Sequence, residues 1–259
     1  VSPSRRGTAV RASLACLAAS LLAACGGDRP ARDSITVYAA ASLRDVLPAV
    51  ARAWESQGGL PVRFSFDATS RIVPQVLEGA PADAVVCADA PWMDALEEAG
   101  MVAPGSRVAI ATNELVFVTA VGRPPPESPA GLPGDLAQVA LAGENVPAGR
   151  YARAALETAG VWGAVEPRVV RAGDVRLALA WVSSGEADGG VVYRTDARSD
   201  PRVAVAFAFP AGSHPPVAYP AAVVRGARRA AEAVRFLGFC AGSRGAAILR
   251  EHGFLPGAP

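Results

Sequence analysis

Ile35-Thr36-Val37-Tyr38-Ala39-Ala40-Ala41-Ser42-Leu43 is the stretch that decides the fold. A short β-type run ends in small residues, and from Leu43 onward Val46, Leu47, Val50 and Trp54 recur at helical spacing. Ser42 stands where an N-cap is expected, with Asp45 three residues on, as in a capping box. The stretch reads as a strand feeding straight into a helix N-terminus. Such a terminus offers N–H groups without intrahelical partners and the positive end of the helix dipole, which together suit an anion. The alanines let a ligand come close to the backbone. A single switch of this kind is weak evidence, because a serine cap often serves stability alone. Recurrence gives it weight.

The pattern does recur. Val62, Phe64 and Phe66 alternate as a strand face, followed by Asp67-Ala68-Thr69-Ser70 and by Ile72, Val73, Val76 and Leu77 at helix spacing. Asp67 and Arg71 are four apart and suit an ion pair. Residues 84–88 form a buried-strand run, Asp89 caps the next helix, and Asp83 lies at the other end of that strand. Residues 139–142 are a strand leading through Val146-Pro147-Ala148-Gly149 into a helix, and residues 168–171 lead through Gly173-Asp174 into another that carries Val175. Gly190-Val191-Val192-Tyr193 is a strand ending in an aromatic hydroxyl. Residues 108–110, 115–118, 203–207 and 217–224 are further strands; 227–239 and 243–252 are further helices. Pro48 falls within the first helix and is expected to bend it. Residues 124–134 read as a surface loop, with an interdomain linker as the alternative. Alternating strands and helices predict an α/β fold with mostly parallel sheets, and no internal repeat is present.

The 259 residues are 51% hydrophobic and 19% charged, enough for one large domain or two lobes. Every basic side chain apart from the two histidines is arginine, so P-loop and Schiff-base chemistry, which need lysine, are excluded. A formal charge of +1 without a basic cluster disfavours nucleic acid as a partner. His214 and His252 lie outside any zinc-ligand spacing, and neither a nucleophile elbow nor a Gly-x-Gly-x-x-Gly motif occurs. Asp83 and Asp89 could form an acid–base pair, but turn and cap roles account for both. No metal site and no catalytic residue is expected. What remains is a set of neutral donors at helix starts: Ser42, Thr69, Ala148 and Val175, with Tyr193 following in the order of elements. Several such hydrogen bonds can replace the water of a buried dianion.

Arg5, Arg6 and Arg11 precede an apolar run over residues 12–24, too short for a membrane span, which ends Leu22-Ala23-Ala24-Cys25. This resembles a bacterial lipobox, so residues 1–24 are expected to be a lipoprotein signal peptide, Cys25 the lipidated residue and 25–33 a tether. Ordinary signal cleavage is the alternative. Loss of residues 1–24 removes three arginines and no acid, taking the formal charge from +1 to −2. Cys87 and Cys240 then sit in an oxidising compartment and read as inert core thiols, with a bridge between them the alternative.

The opening stretch, Gly79-Ala80-Pro81-Ala82-Asp83, Ala88-Asp89 with Trp92-Met93, Asn145-Val146-Pro147-Ala148-Gly149 with Tyr151-Ala152, Asp174-Val175-Arg176, Val191-Val192-Tyr193 and Tyr219-Pro220 together resemble the periplasmic molybdate-binding proteins of ABC importers. The likeness runs in order from about residue 35 to 255. It implies a two-lobed type II periplasmic-binding-protein fold, with lobe one over residues 34–112 and 221–259, lobe two over 113–220, and a two-strand hinge near Asn113 and Tyr219-Pro220. It implies capture of molybdate or tungstate as an oxyanion, with no cofactor and no free metal cation, and delivery to an ABC transporter permease by an extracytoplasmic, lipid-anchored monomer. The family's oxyanion-binding serine falls on Ser42, its second hydroxyl on Thr69, its backbone donors on Ala148 and Val175, and its tyrosine on Tyr193. Members often carry consecutive serines where this chain has Asp67-Ala68-Thr69-Ser70-Arg71. Asp67 is expected to turn away from the site toward Arg71; pointing inward, it would suit phosphate. The alternatives are therefore a binding protein for sulfate or phosphate, or an enzyme or sensor on the same fold.

Overall fold

The computed structural model describes residues 33–257 except Pro133 and Asp135. The expected signal peptide with Arg5, Arg6 and Arg11, the lipidation residue Cys25, and the tether up to residue 32 lie outside the described residues.

β1 (Ile35–Ala40) passes through a single 3-10 turn (Ala41–Leu43) into α1 (Val46–Glu55). β2 (Val62–Asp67) leads to α2 (Thr69–Leu77), and β3 (Ala84–Val86) to α3 (Ala90–Glu98). β4 (Val108–Asn113) crosses through Glu114 into β5 (Leu115–Ala120). β6 (Val139–Ala142) leads to α4 (Pro147–Thr158) and the short α5 (Trp162–Val165); β7 (Val169–Ala172) leads to α6 (Val175–Ser184); β8 (Gly189–Tyr193) leads to α7 (Arg194–Arg198) and β9 (Val203–Ala208). β10 (Val217–Val223) precedes α8 (Ala230–Ala241), α9 (Ser243–Glu251) and β11 (Leu255–Pro256).

The strands form two sheets, ordered β11-β4-β10-β3-β1-β2 and β7-β6-β8-β5-β9. Parallel pairing is confined to β2-β1-β3 and β7-β6-β8. In the first sheet β10 runs antiparallel to both β3 and β4, and the short β11 antiparallel to β4; in the second β5 runs antiparallel to both β8 and β9. The sheets are thus mixed rather than mostly parallel. The reason is the connection: β5 follows β4 after one residue and β10 follows β9 without a helix between, so neither β5 nor β10 arrives through the helical crossover that parallel pairing requires.

β1 reads as a continuous small-apolar run because both faces of its sheet are covered. Leu47, Val50 and Trp54 of α1 pack with Phe236 and Cys240 of α8 in one core cluster. Ile72, Val73 and Val76 of α2 pack with Val85, Cys87, Met93 and Leu96 in another. Trp54 meets Phe236 and Phe239 edge-on at 5.9 and 5.8 Å. Cys87 and Cys240 are buried free thiols, not a bridge, and burial pushes both thiols up, Cys240 to about 12.

Two local expectations are corrected. Ser42 is not an N-cap and Asp45 closes no capping box: the 3-10 turn begins at Ala41, Ala40 stands at its cap, and no side chain caps either it or α1. Pro48 is the third residue of α1, where its missing N–H has no intrahelical partner to lose. The proline inside a helix is Pro74, in α2.

Candidate functional site

The C-terminal ends of the parallel strands of both sheets face a small buried cavity. Ser42 and Thr69 reach it from the first sheet; Ala148, Val175 and Tyr193 reach it from the second. All five residues expected from the sequence therefore line one cavity, at 4% exposure or less.

Each is placed by its own local chemistry. Thr69 is the first residue of α2, and its hydroxyl oxygen accepts the Ala88 N–H at 3.1 Å. That bond ties α2 to the end of β3 and leaves the hydroxyl hydrogen to donate. Ser42 Oγ lies 3.1 Å from the Tyr219 hydroxyl. Ala148 follows Pro147 in the first turn of α4, whose N–H groups have no partner inside the helix. Gly149 makes this geometry possible, since a Cβ there would stand 2.2 Å from the Gly143 oxygen and 2.3 Å from that of Ala142. The first turn of α4 can thus press against the end of β6. In α6 the Asp174 carboxylate accepts the N–H groups of Arg176 and Leu177 at 2.8 and 2.9 Å. The N–H of Val175, the first helical residue, is left over. Tyr193 ends β8 with its hydroxyl buried and without a hydrogen-bond partner. Burial, aided by Tyr219, Tyr151 and nearby carboxylates, pushes that phenol well above its usual range, so it stays a neutral donor.

Charged groups surround the mouth and are paired. Arg71 meets Asp67 at 3.1 Å, and Asp67 also accepts the Ala68 N–H at 2.7 Å. The Arg71 guanidinium lies against Gly173 of the opposite side, where a Cβ would come within 2.6 Å of it. Arg150 of α4 pairs across the cleft with the buried Asp89, which also caps α3 through the Trp92 N–H at 3.3 Å. Burial raises the Asp89 carboxyl above its usual value while Arg150 pulls it back. Arg176 of α6 reaches Asp45 at 2.5 Å across the cleft and Asp196 at 2.7 Å on its own side. Burial raises the Asp196 carboxyl to about 6 against the opposing pull of Arg176. Trp92 Nε1 donates to the Asn145 carbonyl at 3.1 Å, a further link between the two sides.

Asp83 has a structural task, accepting the N–H groups of Thr36 at 2.8 Å and Arg229 at 2.9 Å. Among the described residues no cluster of His, Cys, Asp and Glu could hold a metal ion. The contacts across the cleft were not foreseen. Their signal was present in Trp92, Asn145 and Arg176, which stand inside the family-like motifs without an assigned role.

Residues 35–255 match the family described as bacterial extracellular solute-binding protein. The chain belongs to that family. It is a family of binding proteins, not of enzymes. The chain is 37% identical to the molybdate-binding protein ModA of Haemophilus influenzae over 221 residues, covering 80% of this chain and 85% of the relative. It is 34% identical to ModA of Escherichia coli over 227 residues, covering 85% and 88%. The periplasmic molybdate-binding protein of Azotobacter vinelandii superposes with a TM-score of 0.78 at 24% identity, covering 87% of this chain and 99% of that one. This likeness gives the solute-binding chain the two-lobed α/β fold of periplasmic binding proteins, with mixed sheets flanked by helices.

Proposed function

We propose that this solute-binding protein captures molybdate or tungstate between its lobes and delivers it to an ABC transporter permease. The observation that carries the reading is the composition of the cavity: hydroxyls of Ser42, Thr69 and Tyr193 and backbone N–H groups of Ala148 and Val175 line it, no arginine does, and its one carboxylate, Asp174, is already engaged by the N–H groups of Arg176 and Leu177. A fully deprotonated tetrahedral oxyanion needs donors alone, and each bond to a charged acceptor contributes about 1.5–3 kcal/mol. Hydrogen phosphate would present its proton to a donor and leave both unsatisfied. Similarity to relatives named for molybdate binding supports the same ligand. The lobes are residues 34–112 with 221–259, and 113–220, hinged where the chain crosses near Asn113 and Tyr219-Pro220. The protein works as a monomer outside the cytoplasmic membrane, held there by lipid on Cys25.

Calorimetry on the chain without residues 1–24 tests the ligand. The expected order is molybdate ≈ tungstate > sulfate > phosphate; sulfate or phosphate binding tightest overturns the assignment. Cys25→Ser should release the protein from the membrane fraction, and a wild type already soluble with a free N-terminus refutes the anchor.

A further inference from the structure

Ser42 binds nothing useful to an anion unless its hydrogen points into the cavity, and a serine hydroxyl rotates freely between donors and acceptors. Behind Ser42 lies a buried chain of polar groups that the five-residue site does not use. Ser42 Oγ is 3.1 Å from the Tyr219 hydroxyl, and Tyr219 is fully buried. Asn113 Nδ2 donates to the Tyr219 hydroxyl oxygen at 3.2 Å and to Thr195 Oγ1 at 2.8 Å. The orientation of the Asn113 amide is fixed from its other end, because Oδ1 accepts the Glu114 N–H at 2.9 Å. Edge-on contacts with Tyr193 at 6.1 Å and Phe254 at 5.5 Å clamp the Tyr219 ring.

These bonds have only one direction that satisfies every member. Asn113 Nδ2 can only donate, so Tyr219 oxygen accepts. The phenol has a single hydrogen, and Ser42 Oγ is the acceptor within its reach. Ser42 therefore accepts from Tyr219, and its own hydrogen is left for the cavity. Burial keeps the Tyr219 proton in place by pushing its phenol far above the usual range.

We infer that Asn113 and Tyr219 are positioning residues that set the polarity of the Ser42 hydroxyl, turning it into a committed donor to the bound oxyanion. The inference rests on the proposed oxyanion site. It also couples that site to the hinge: Asn113 ends β4 at the outgoing crossing, Tyr219 lies in the returning β10, and Thr195 belongs to α7 beyond the second sheet. When the lobes move about these strands, the polarity of one donor moves with them.

A double-mutant cycle read by molybdate calorimetry on the mature protein tests this, with apo melting temperatures recorded in parallel. Ser42→Ala should weaken binding about 10- to 100-fold. Tyr219→Phe should weaken it about 5- to 20-fold when Ser42 is present, and less than about twofold in the Ser42→Ala background. In the Thr69→Ala background the full Tyr219→Phe effect should return. A merely structural role for Tyr219 would weaken binding in all three backgrounds alike, and that result overturns the inference, as does unchanged affinity in Tyr219→Phe alone. If Ser42→Ala itself has no effect, the oxyanion site has been misplaced and the relay falls with it. Should Tyr219→Phe fail to fold, Asn113→Asp replaces it. Its carboxylate would accept the Tyr219 proton and turn the Ser42 hydrogen away from the cavity, while its charge would repel the anion in either background. An excess loss of about 5- to 20-fold with Ser42 present supports the relay, and equal losses in both backgrounds refute it.

Discussion

The floor of the cleft and its rim are made of opposite materials. The floor offers three hydroxyls and two backbone N–H groups as donors, all buried and all neutral, and its one carboxylate, Asp174, is turned to the N–H groups of Arg176 and Leu177. The rim has arginines, each held by a carboxylate: Arg71 with Asp67, Arg150 with Asp89, Arg176 with Asp45 and Asp196. The floor presents fixed dipoles that need not reorganise when a dianion arrives, whereas a buried guanidinium would bind any anion of the right charge. Two of these pairs, Arg150 with Asp89 and Arg176 with Asp45, span the two sides and act on closure rather than on recognition. Substitutions on the floor should therefore change which anion binds and how tightly, and substitutions on the rim should change binding modestly and indiscriminately.

The largest effect is expected from Val175→Pro. Position 175 begins α6, and Asp174 before it is extended at φ −153° and ψ 177°, so proline is conformationally compatible there. The change deletes one N–H and puts a ring carbon where the anion would accept it. Molybdate binding should fall by about 3 kcal/mol or more, over 100-fold, while the apo melting temperature hardly moves. Calorimetry showing wild-type affinity would remove α6 from the floor.

Next come the hydroxyls. Ser42→Ala and Thr69→Ala should each weaken molybdate binding by about 1.5–3 kcal/mol. Their stability costs should differ. Thr69→Ala strands the buried Ala88 N–H and should destabilise the apo protein by about 1–3 kcal/mol. Ser42→Ala caps nothing and deprives only the Tyr219 hydroxyl of its acceptor, for about 1 kcal/mol. Equal affinities for all three proteins would place the anion elsewhere.

What could be read from the sequence follows the same division. The strand-to-helix switches depend on local signals, namely small residues, helical spacing and first-turn chemistry, and Ser42, Thr69, Ala148 and Val175 could be picked out that way. The reading of Ser42 as an N-cap failed because a 3-10 turn intervenes, so its side chain faces Tyr219 some 177 positions away, a partner no local pattern can name. Asp89 was legible as a cap because its acceptor role lies three residues on, at Trp92; its ion pair with Arg150, 61 positions away, was not. The short α7 escaped because Arg194–Arg198 is too brief to show a period. Mixed pairing escaped because alternation of strands and helices is blind to which strands cross between sheets.

On the rim, Arg150→Met should weaken all oxyanions about equally, by about 1–2 kcal/mol, because the closed form then holds an unpaired buried carboxylate at Asp89. A change confined to one anion would mean that Arg150 touches the ligand.

The buried Asp196 predicts a pH effect on stability that the floor lacks. Burial raises its folded pKa to about 6, from 3.8 for a free carboxyl. Its contribution is fully present below the unfolded value and is lost as pH rises through about 6. Between pH 7.5 and pH 5 this amounts to about 1 kcal/mol of added stability on acidification. Denaturant titrations of wild type and Asp196→Asn should differ by that slope; parallel pH profiles would show that Arg176 keeps Asp196 charged throughout.

The smallest effect is expected at Asp67, two residues before Thr69. Asp67 does not line the cavity; its carboxylate is engaged by the Ala68 N–H and by Arg71, and both side chains of that pair are partly exposed. An ion pair in that setting contributes about 0–1 kcal/mol. Asp67→Asn should therefore shift molybdate affinity by less than about fivefold. The direction should be toward tighter binding, since one negative charge near the dianion is removed and Arg71 remains against Gly173. The order of anions should not change, because the floor that sorts them is untouched. Calorimetry with molybdate, sulfate and phosphate on Asp67→Asn checks this. If phosphate is the best ligand of the wild type and Asp67→Asn abolishes it, Asp67 turns inward on binding to accept the phosphate proton. The division between a neutral floor and a charged rim would then fail where it matters most, at the ligand.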